Sequence, residues 1–105
     1  MRRLVLATAL AGVAAALVLT GAASQGRPLR VVALGDSLTA GYMLPASAAF
    51  PAVLERALRA RGLAVEIANA GVSGDTASQG LERLDWSVPD GTDAVIVELG
   101  ANDAR

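Results

Sequence analysis

Residues 29–42 have the sequence LRVVALGDSLTAGY, in which an apolar segment runs directly into a turn of small and polar residues. The segment Leu29–Leu34 predicts a buried β-strand, because it is rich in Leu and Val and ends at Gly35. The turn that follows carries Ser37 between small neighbours that leave room around its hydroxyl. The same pattern of an apolar segment followed by a polar turn occurs twice more along the chain.

Predicted helices separate the three predicted strands. Apolar side chains recur at the spacing of one helix face between residues 50 and 58, and this face is expected to pack on the sheet: Phe50, Val53, Leu54, Ala57 and Leu58. Further along lie a strand at Leu63–Ala68, a weaker helix at Thr76–Trp86 with Leu81 and Leu84 facing inward, and a strand at Ala94–Leu99. Strands that alternate with helices indicate parallel βαβ units, so the predicted fold class is α/β. The third strand is expected to form an unpaired edge of the sheet.

A polar segment stands at the end of each predicted strand: GDSLTAGY (Gly35–Tyr42), GVSGDT (Gly71–Thr76) and ELGAND (Glu98–Asp103). Because the carboxyl ends of parallel strands lie along one rim of a sheet, Ser37, Gly74 and Asn102 are expected to converge there. A serine hydroxyl attacks a carbonyl group once a base accepts its proton, and preformed N–H donors stabilise the resulting oxyanion. These segments therefore predict Ser37 as a nucleophile, with the Ser37 N–H, the Gly74 N–H and the Asn102 amide as oxyanion donors.

Each segment also has a purely structural interpretation. Ser37 could serve as a cap or turn residue, Gly71 and Gly74 could shape a turn, and Asn102–Asp103 could cap the next helix. Three acidic residues are expected to form hydrogen bonds within these turns: Asp36, Asp75 and Asp103. A phosphate-binding loop is disfavoured, because no G-x-G-x-x-G follows the first strand and the chain has no lysine for a Walker A motif.

The first 24 residues differ in composition from the rest of the 105-residue chain. A basic start, Met1–Arg3, precedes the apolar segment Leu4–Leu19, and small residues follow. This arrangement predicts a secretory signal peptide over residues 1–24, cleaved near Ala23 or Ser24, and a periplasmic or secreted mature protein without stable membrane insertion. An uncleaved membrane anchor is disfavoured, because the apolar segment is shorter than the about 20 residues that span a bilayer.

Residues 25–105 contain seven arginines and ten carboxylates, which gives a net charge of −3. Such a surface disfavours nucleic acids and anionic membranes as partners, since it carries no basic patch to neutralise them. The chain has no cysteine, so it holds neither a disulfide nor a thiolate metal site. The chemistry expected at the rim requires neither a metal nor an organic cofactor.

The segments ALGDSLTAGY (Ala33–Tyr42), NAGVSGDTASQGLERL (Asn69–Leu84) and VIVELGANDAR (Val95–Arg105) occur in the order of three known sequence blocks. In these blocks, and in SAAFPAVLERAL (Ser47–Leu58), the chain resembles the SGNH or GDSL-type serine hydrolases. The closest resemblance is to exported bacterial acyl-thioesterases, lysophospholipases and arylesterases. The resemblance implies a flavodoxin-like three-layer α/β/α sandwich with the first three βα units present. It also implies the same roles for Ser37, Gly74 and Asn102, in an esterase acting on acyl esters, thioesters or lysophospholipids.

The fourth block of that family, an Asp-x-x-His, has no counterpart here, because the sequence contains no histidine. Residues 25–105 are therefore expected to be the amino-terminal part of a hydrolase domain, truncated before this block and inactive as given. Two alternatives remain open. One is a carbohydrate esterase or acyltransferase on the same scaffold, and the other is a non-catalytic binding module that kept the fold.

Overall fold

The structure is a computed structural model that describes residues 5–10, 14–19 and 26–104. Within these residues five strands form one sheet: β1 (Val5–Leu10), β2 (Ala14–Leu19), β3 (Leu29–Gly35), β4 (Val65–Gly71) and β5 (Ala94–Leu99). The helices described alongside them are α1 (Ser37–Ala40), α2 (Phe50–Ala60), α3 (Ala77–Glu82) and α4 (Leu84–Ser87), with a 3-10 turn at Ala46–Ala48.

Strand β3 lies between β4 and β5, and both of these neighbours run parallel to it. The predicted α/β fold class is therefore confirmed. Along the sheet the parallel strands stand in the order second, first, third, which is the order at the start of flavodoxin-like folds. The strand order reverses between β3 and β5, and ligands of such sheets bind beyond the carboxyl ends of the strands at this boundary.

Two antiparallel strands extend the sheet beyond β5. Strand β2 pairs with β5 along Ala94–Leu99, and β1 pairs with β2. The expectation that β5 is an unpaired edge is therefore wrong, because the backbone of β2 pairs with that edge. Both added strands belong to the predicted signal peptide, whereas its predicted cleavage site at Ala23 or Ser24 lies outside the described residues.

The hydrophobic core lies where β3 meets its two parallel neighbours. Val31 on β3, Val65 on β4 and Ala94 on β5 are buried, and partly buried apolar side chains pack around them: Leu29, Leu58, Ile67 and Ile96. Because β3 lies between β4 and β5, its residues 31–35 are all buried, whereas the edge strand β4 exposes several of its side chains. Burial of each large apolar side chain contributes about 1.5–3 kcal/mol, so the strands that carry the site belong to the most stabilised part of the sheet.

Helix α2 covers β4 and agrees with the predicted position. Its first turn contains the buried Pro51, and it ends at Ala60. The apolar stripe packs on the sheet as expected, but it is only partly buried, because Val53 remains 46% exposed. This helix packs against the edge strand β4, which covers only part of the stripe. Among the described residues, no helix is both long and apolar enough to cross a membrane.

The segment predicted as one helix over Thr76–Trp86 forms two short helices, α3 and α4, that meet at Arg83. Leu81 and Leu84 do not face inward, since they are 70% and 38% exposed. The face of α3 toward the sheet is instead that of Gly80, which is buried: a methyl group there would lie 2.5 Å from Leu99 Cδ1. Because Gly80 has no side chain, α3 can approach the sheet closely at this point. Leu81, the next residue, is rotated about 100° around the helix axis and so points away from the sheet.

Candidate active site

Ser37 is the first residue of α1 and lies directly beyond the end of β3. Asp36 caps the helix, because its Oδ1 accepts the N–H of Leu38 at 3.0 Å. Four residues later the helix ends at Gly41, whose φ of 80° is the left-handed conformation that glycine adopts without strain. Within residues 26–104, neither the hydroxyl nor the backbone N–H of Ser37 has a hydrogen-bond partner. We call residues 35–41 the Ser37 turn.

Two glycines allow the Ser37 turn to lie directly on the strand ends. Gly35 and Gly71 are the last residues of β3 and β4, and they are paired in register. A methyl group on Gly71 would overlap the backbone of the turn, 2.7 Å from the Cα of Ala40. A methyl group on Gly35 would overlap the side chain of Thr39. Helix α1 therefore reaches this rim only because both strands end in a residue without a side chain.

Gly74 lies in the loop between β4 and α3. The loop turns back on itself through a hydrogen bond of 3.2 Å from the N–H of Asp75 to the carbonyl of Val72. Gly74 has a φ of 87°, and its added Cβ would meet no atom within 4 Å. Its backbone N–H has no acceptor within residues 26–104. The loop thus presents an exposed donor with open space beside it.

Asn102 connects the three predicted segments. It lies in the turn after β5, and its Nδ2 donates to the carbonyl oxygen of Asp75 at 2.9 Å, one residue from Gly74. The same Nδ2 lies 3.5 Å from Oδ2 of Asp36, one residue from Ser37. Both contacts use the Nδ2 of the amide as a donor, whereas a helix cap would use the Oδ1 as an acceptor.

The two bonds of the Asn102 amide differ in strength. The bond to Asp75 has ordinary length and fixes the orientation of the amide. The contact with Asp36, at 3.5 Å, is close to the outer limit for a hydrogen bond. One N–H of Asn102 is therefore firmly held, and the other is available to a better acceptor that enters between the loops.

Arg83, at the junction of α3 and α4, holds the Gly74 loop against β3. Its Nε donates to Oδ2 of Asp75 at 2.7 Å, and its Nη2 donates to the carbonyl oxygen of Gly35 at 3.0 Å. The ion pair is largely buried, since both side chains are 12% exposed. Asp103 adds a further link, because its Oδ1 accepts the N–H of Ala77 at the start of α3 at 2.9 Å.

Glu98 is a buried carboxyl group beneath the Ser37 turn. Its Oε1 accepts the hydroxyl of Thr39 at 2.7 Å and the N–H of Asp36 at 3.3 Å. Its Oε2 is buried and has no hydrogen-bond partner within the described residues. Burial raises the pKa of Glu98 and outweighs the hydrogen bond from Thr39, which acts in the opposite direction, and the nearby Asp36 carboxylate raises the pKa further.

The structure brings all three predicted site residues to one rim of the sheet. Asp36 shapes the turn as expected, while Asp75 and Asp103 form bonds between elements. Sequence reasoning missed Glu98, Arg83 and Asn69, of which Asn69 donates to the carbonyl of Thr39 at 2.9 Å. One signal was present: Glu98 is the only charged residue of the otherwise apolar strand β5, and such residues are seldom buried without a partner.

Clusters of three or more potential metal-ligating His, Cys, Asp or Glu side chains are absent from the part of the chain that the structure describes. Two N–H groups at the rim, those of Ser37 and Gly74, have no acceptor within residues 26–104, and they lie beside the Asn102 amide and the Ser37 hydroxyl. Together they can bind an oxygen atom that carries negative charge, next to a serine that can form a bond to the adjacent carbon.

The strand order and this grouping of serine, glycine and asparagine at the switch point define an α/β protein of the flavodoxin-like, SGNH type. Residues 33–105 match the GDSL-like Lipase/Acylhydrolase family model, and the chain belongs to this family. The predicted family is thereby confirmed.

Several characterised proteins are similar to this chain. It is 45% identical over 83 residues to an arylesterase of Vibrio mimicus, with 78% of this chain and 41% of that protein aligned. It is 46% identical over 71 residues to thioesterase 1/protease 1/lysophospholipase L1 of Escherichia coli K12, with 67% of this chain and 33% of that protein aligned. The crystal structure of AlinE4, an SGNH-hydrolase family esterase, has a TM-score of 0.69 and 48% identity over 75% of this chain and 43% of that one. The chain thus spans less than half the length of these relatives.

Proposed function

We propose that the whole protein is a serine hydrolase that cleaves acyl esters or thioesters, with Ser37 as its nucleophile. The Ser37 N–H, the Gly74 N–H and the Asn102 amide would bind the oxyanion. The observation that carries the proposal is the position of Asn102, whose amide is held by the carbonyl of Asp75 and lies between the Gly74 loop and the Ser37 turn. The Asn102 amide would thus act together with the Ser37 and Gly74 N–H groups, and several preformed donors aimed at one oxygen atom stabilise the negative charge that develops on it.

The chemistry follows from the charges that appear during the reaction. Attack by Ser37 Oγ on the carbonyl carbon turns the carbonyl oxygen into an oxyanion, while the hydroxyl proton leaves to a base. The Ser37 and Gly74 N–H groups have no acceptor within residues 26–104, so they meet the oxyanion without first breaking a protein hydrogen bond. The base is not a histidine of these 105 residues, since the sequence contains none.

The surroundings of Ser37 support a substrate with a hydrocarbon chain. Four large apolar side chains of this part of the chain are strongly exposed: Leu38 at 55%, Tyr42 at 69%, Met43 at 85% and Leu44 at 56%. Exposed apolar groups beside a polar site are typical of surfaces that bind an apolar ligand. The substrate class proposed here is therefore a small acyl ester, a thioester or a lysophospholipid, as the names of the arylesterase and thioesterase relatives also suggest.

A fusion with a related esterase tests this proposal. Residues 29–105 replace the matching part of AlinE4, and hydrolysis of a short aryl ester is compared with that by the 105-residue chain and by AlinE4 itself. The fusion should turn over the ester at a rate similar to AlinE4. The 105-residue chain should retain only the residual rate of an oxyanion hole without a base, about 10³-fold over water.

Two outcomes would contradict the proposal. A folded fusion that binds the ester without hydrolysing it would favour the non-catalytic binding module. Equal turnover by the 105-residue chain and the fusion would require a base other than histidine within this sequence. Circular dichroism of the fusion and of AlinE4 shows whether a loss of rate reflects a loss of fold.

We further propose that the protein is exported, because a basic start and an apolar segment, Leu4–Leu19, precede the small residues at 21–24. Amino-terminal sequencing of the protein from the periplasm or the medium should begin close to Ala23 or Ser24. A product that keeps Met1 and stays bound to the membrane would contradict this proposal and indicate an anchor.

A further inference from the structure

We propose that Glu98, in its protonated form, is a positioning residue that holds the Ser37 turn in place. This proposal rests on the function proposed above for Ser37. In the protonated form, Oε2 of Glu98 donates a hydrogen bond to the carboxylate of Asp36, while its Oε1 accepts the Asp36 N–H and the Thr39 hydroxyl. Loss of this proton would loosen the turn and displace Ser37.

Glu98 forms hydrogen bonds with residues that precede and follow Ser37 in the chain. Oε1 binds the backbone N–H of Asp36, the residue before Ser37, at 3.3 Å. It also binds the hydroxyl of Thr39, two residues after Ser37, at 2.7 Å. Gly35 and Glu98 are paired in register across β3 and β5, so the carboxyl group lies directly beneath the turn. The backbone of Ser37 is thus held between two groups that share one carboxyl oxygen.

The second oxygen of Glu98 indicates which protonation state is present. Oε2 is buried and has no donor to accept from within the described residues. A buried carboxylate oxygen without a partner is costly, whereas a protonated oxygen becomes a donor. Asp36 provides the nearest carboxylate acceptor by position: it is 1% exposed, and its backbone N–H donates to Oε1 of the same carboxyl group at 3.3 Å. A proton on Glu98 therefore removes both the unpaired oxygen and the repulsion between two buried negative charges.

The charged groups around Glu98 leave Asp36 as the main electrostatic neighbour. Asp36 faces it from the Ser37 turn, and the neutral Thr39 faces it from α1. Arg83 reaches the carbonyl of Gly35 but forms its ion pair with Asp75. The residue opposite Glu98 on β2 is Ala15, which has no titratable group. Burial raises the pKa of Glu98, so the proton is retained above the range in which an exposed glutamate loses it.

The sign of the pH effect follows from this shift. A carboxyl group with a raised pKa in the folded state binds its proton more tightly there than in the unfolded chain. Stability is therefore fully present below the pKa of an unfolded glutamate, and it falls as the pH rises toward the raised pKa of Glu98. Over the same range the ionised Glu98 repels Asp36, whose Oδ1 caps the N–H of Leu38.

NMR of the full 105-residue chain tests the proposal without any measurement of activity. The ¹³C signal of the Glu98 carboxyl group and the ¹⁵N–¹H signals of Asp36, Ser37 and Leu38 are followed as the pH is raised. We expect Glu98 to titrate above the ordinary glutamate range and the Ser37 amide signal to shift with the same midpoint. In Glu98→Gln, whose amide can both accept and donate like the protonated acid, this step at Ser37 should be lost while the fold is kept.

Glu66→Gln is the matched control, because Glu66 is an exposed glutamate on β4 outside this network. It should leave the Ser37 step unchanged. Glu98→Leu, which keeps the size but offers no hydrogen bond, should shift the Asp36 and Ser37 signals at every pH. The proposal is overturned if Glu98 titrates in the ordinary range, or if the Ser37 step persists in Glu98→Gln. Ester hydrolysis by the fusion is a separate observation, so failure of one proposal does not imply failure of the other.

Discussion

Replacement of Ser37 by alanine in the AlinE4 fusion should lower kcat by about 10⁶, the loss expected when a triad enzyme loses its nucleophile. The Ser37 hydroxyl is the group proposed to form the covalent bond to the carbonyl carbon. Without it, the oxyanion donors can still bind a hydrated intermediate, so hydrolysis should fall to about 10³–10⁴-fold over water rather than to zero. Initial rates on a short aryl ester, measured at saturating substrate, give this ratio directly.

Ser78→Ala is the matched control for this substitution. Ser78 is an exposed serine on α3, and alanine favours a helix at that position. Its turnover should equal that of the parent fusion. Turnover of Ser37→Ala within tenfold of the parent would rule out Ser37 as the nucleophile. It would leave the Ser37 turn as a structural feature only.

Replacement of Asn102 by alanine in the same fusion should lower kcat by roughly 10²–10³, the usual effect of losing one oxyanion donor at about 2.7–4 kcal/mol. KM should change little, because the carbonyl oxygen of the bound substrate carries less charge than the oxyanion. Stability should also fall by about 1 kcal/mol, since the side chain donates to the carbonyl of Asp75. The melting temperature and the turnover of folded enzyme must therefore be measured together.

Asn102→Asp removes the donor while keeping the shape of the side chain. Aspartate has nearly the same shape, but a carboxylate oxygen replaces the NH₂ group and lies next to the carboxylate of Asp36. Turnover should fall at least as far as in the alanine variant. If either variant is destabilised but keeps normal turnover per folded molecule, Asn102 has a structural role only, and one of the three supports for the hydrolase proposal is removed.

Much of the sheet could be predicted because its strands are apolar and bounded by glycine or proline. The third predicted strand has the bounds that the structure gives to β5, Ala94–Leu99. The strand expected at Leu63–Ala68 runs instead to Gly71, because the small and polar residues 69–71 pair with β3. Such residues carry no hydrophobic signal, and their pairing depends on a neighbour that is distant in sequence.

The segment between β4 and β5, predicted as one helix, was harder to predict, because its packing also depends on a small residue without a hydrophobic signal. Its pattern of leucines indicates an inward face through Leu81, yet the close contact with the sheet is made by Gly80 against Leu99. The periodicity of apolar residues shows where large side chains lie. It gives no indication of a close contact that is possible because a residue, here glycine, has no side chain. Arg83 likewise has the sequence context of an exposed helical residue, and its ion pair with Asp75 becomes evident only in three dimensions.

The positions of the site residues were predictable because parallel strands bring their carboxyl ends to one rim, whatever the length of the connecting helices. The contacts beneath them were not. Glu98 stands out as a charge in an apolar strand, but its partners Asp36 and Thr39 are 62 and 59 residues away in sequence. Only the register between β3 and β5 brings these groups together.

The bonds of Asn102 also determine when the site forms during folding. They join residues that are 66 and 27 positions apart, so each closes a long loop that must first lose much of its chain entropy. Contacts of such sequence separation form slowly, and they cannot precede the pairing of β3 with β5. In a nascent chain Asn102 therefore cannot join the Gly74 loop to the Ser37 turn until the third parallel strand has been added.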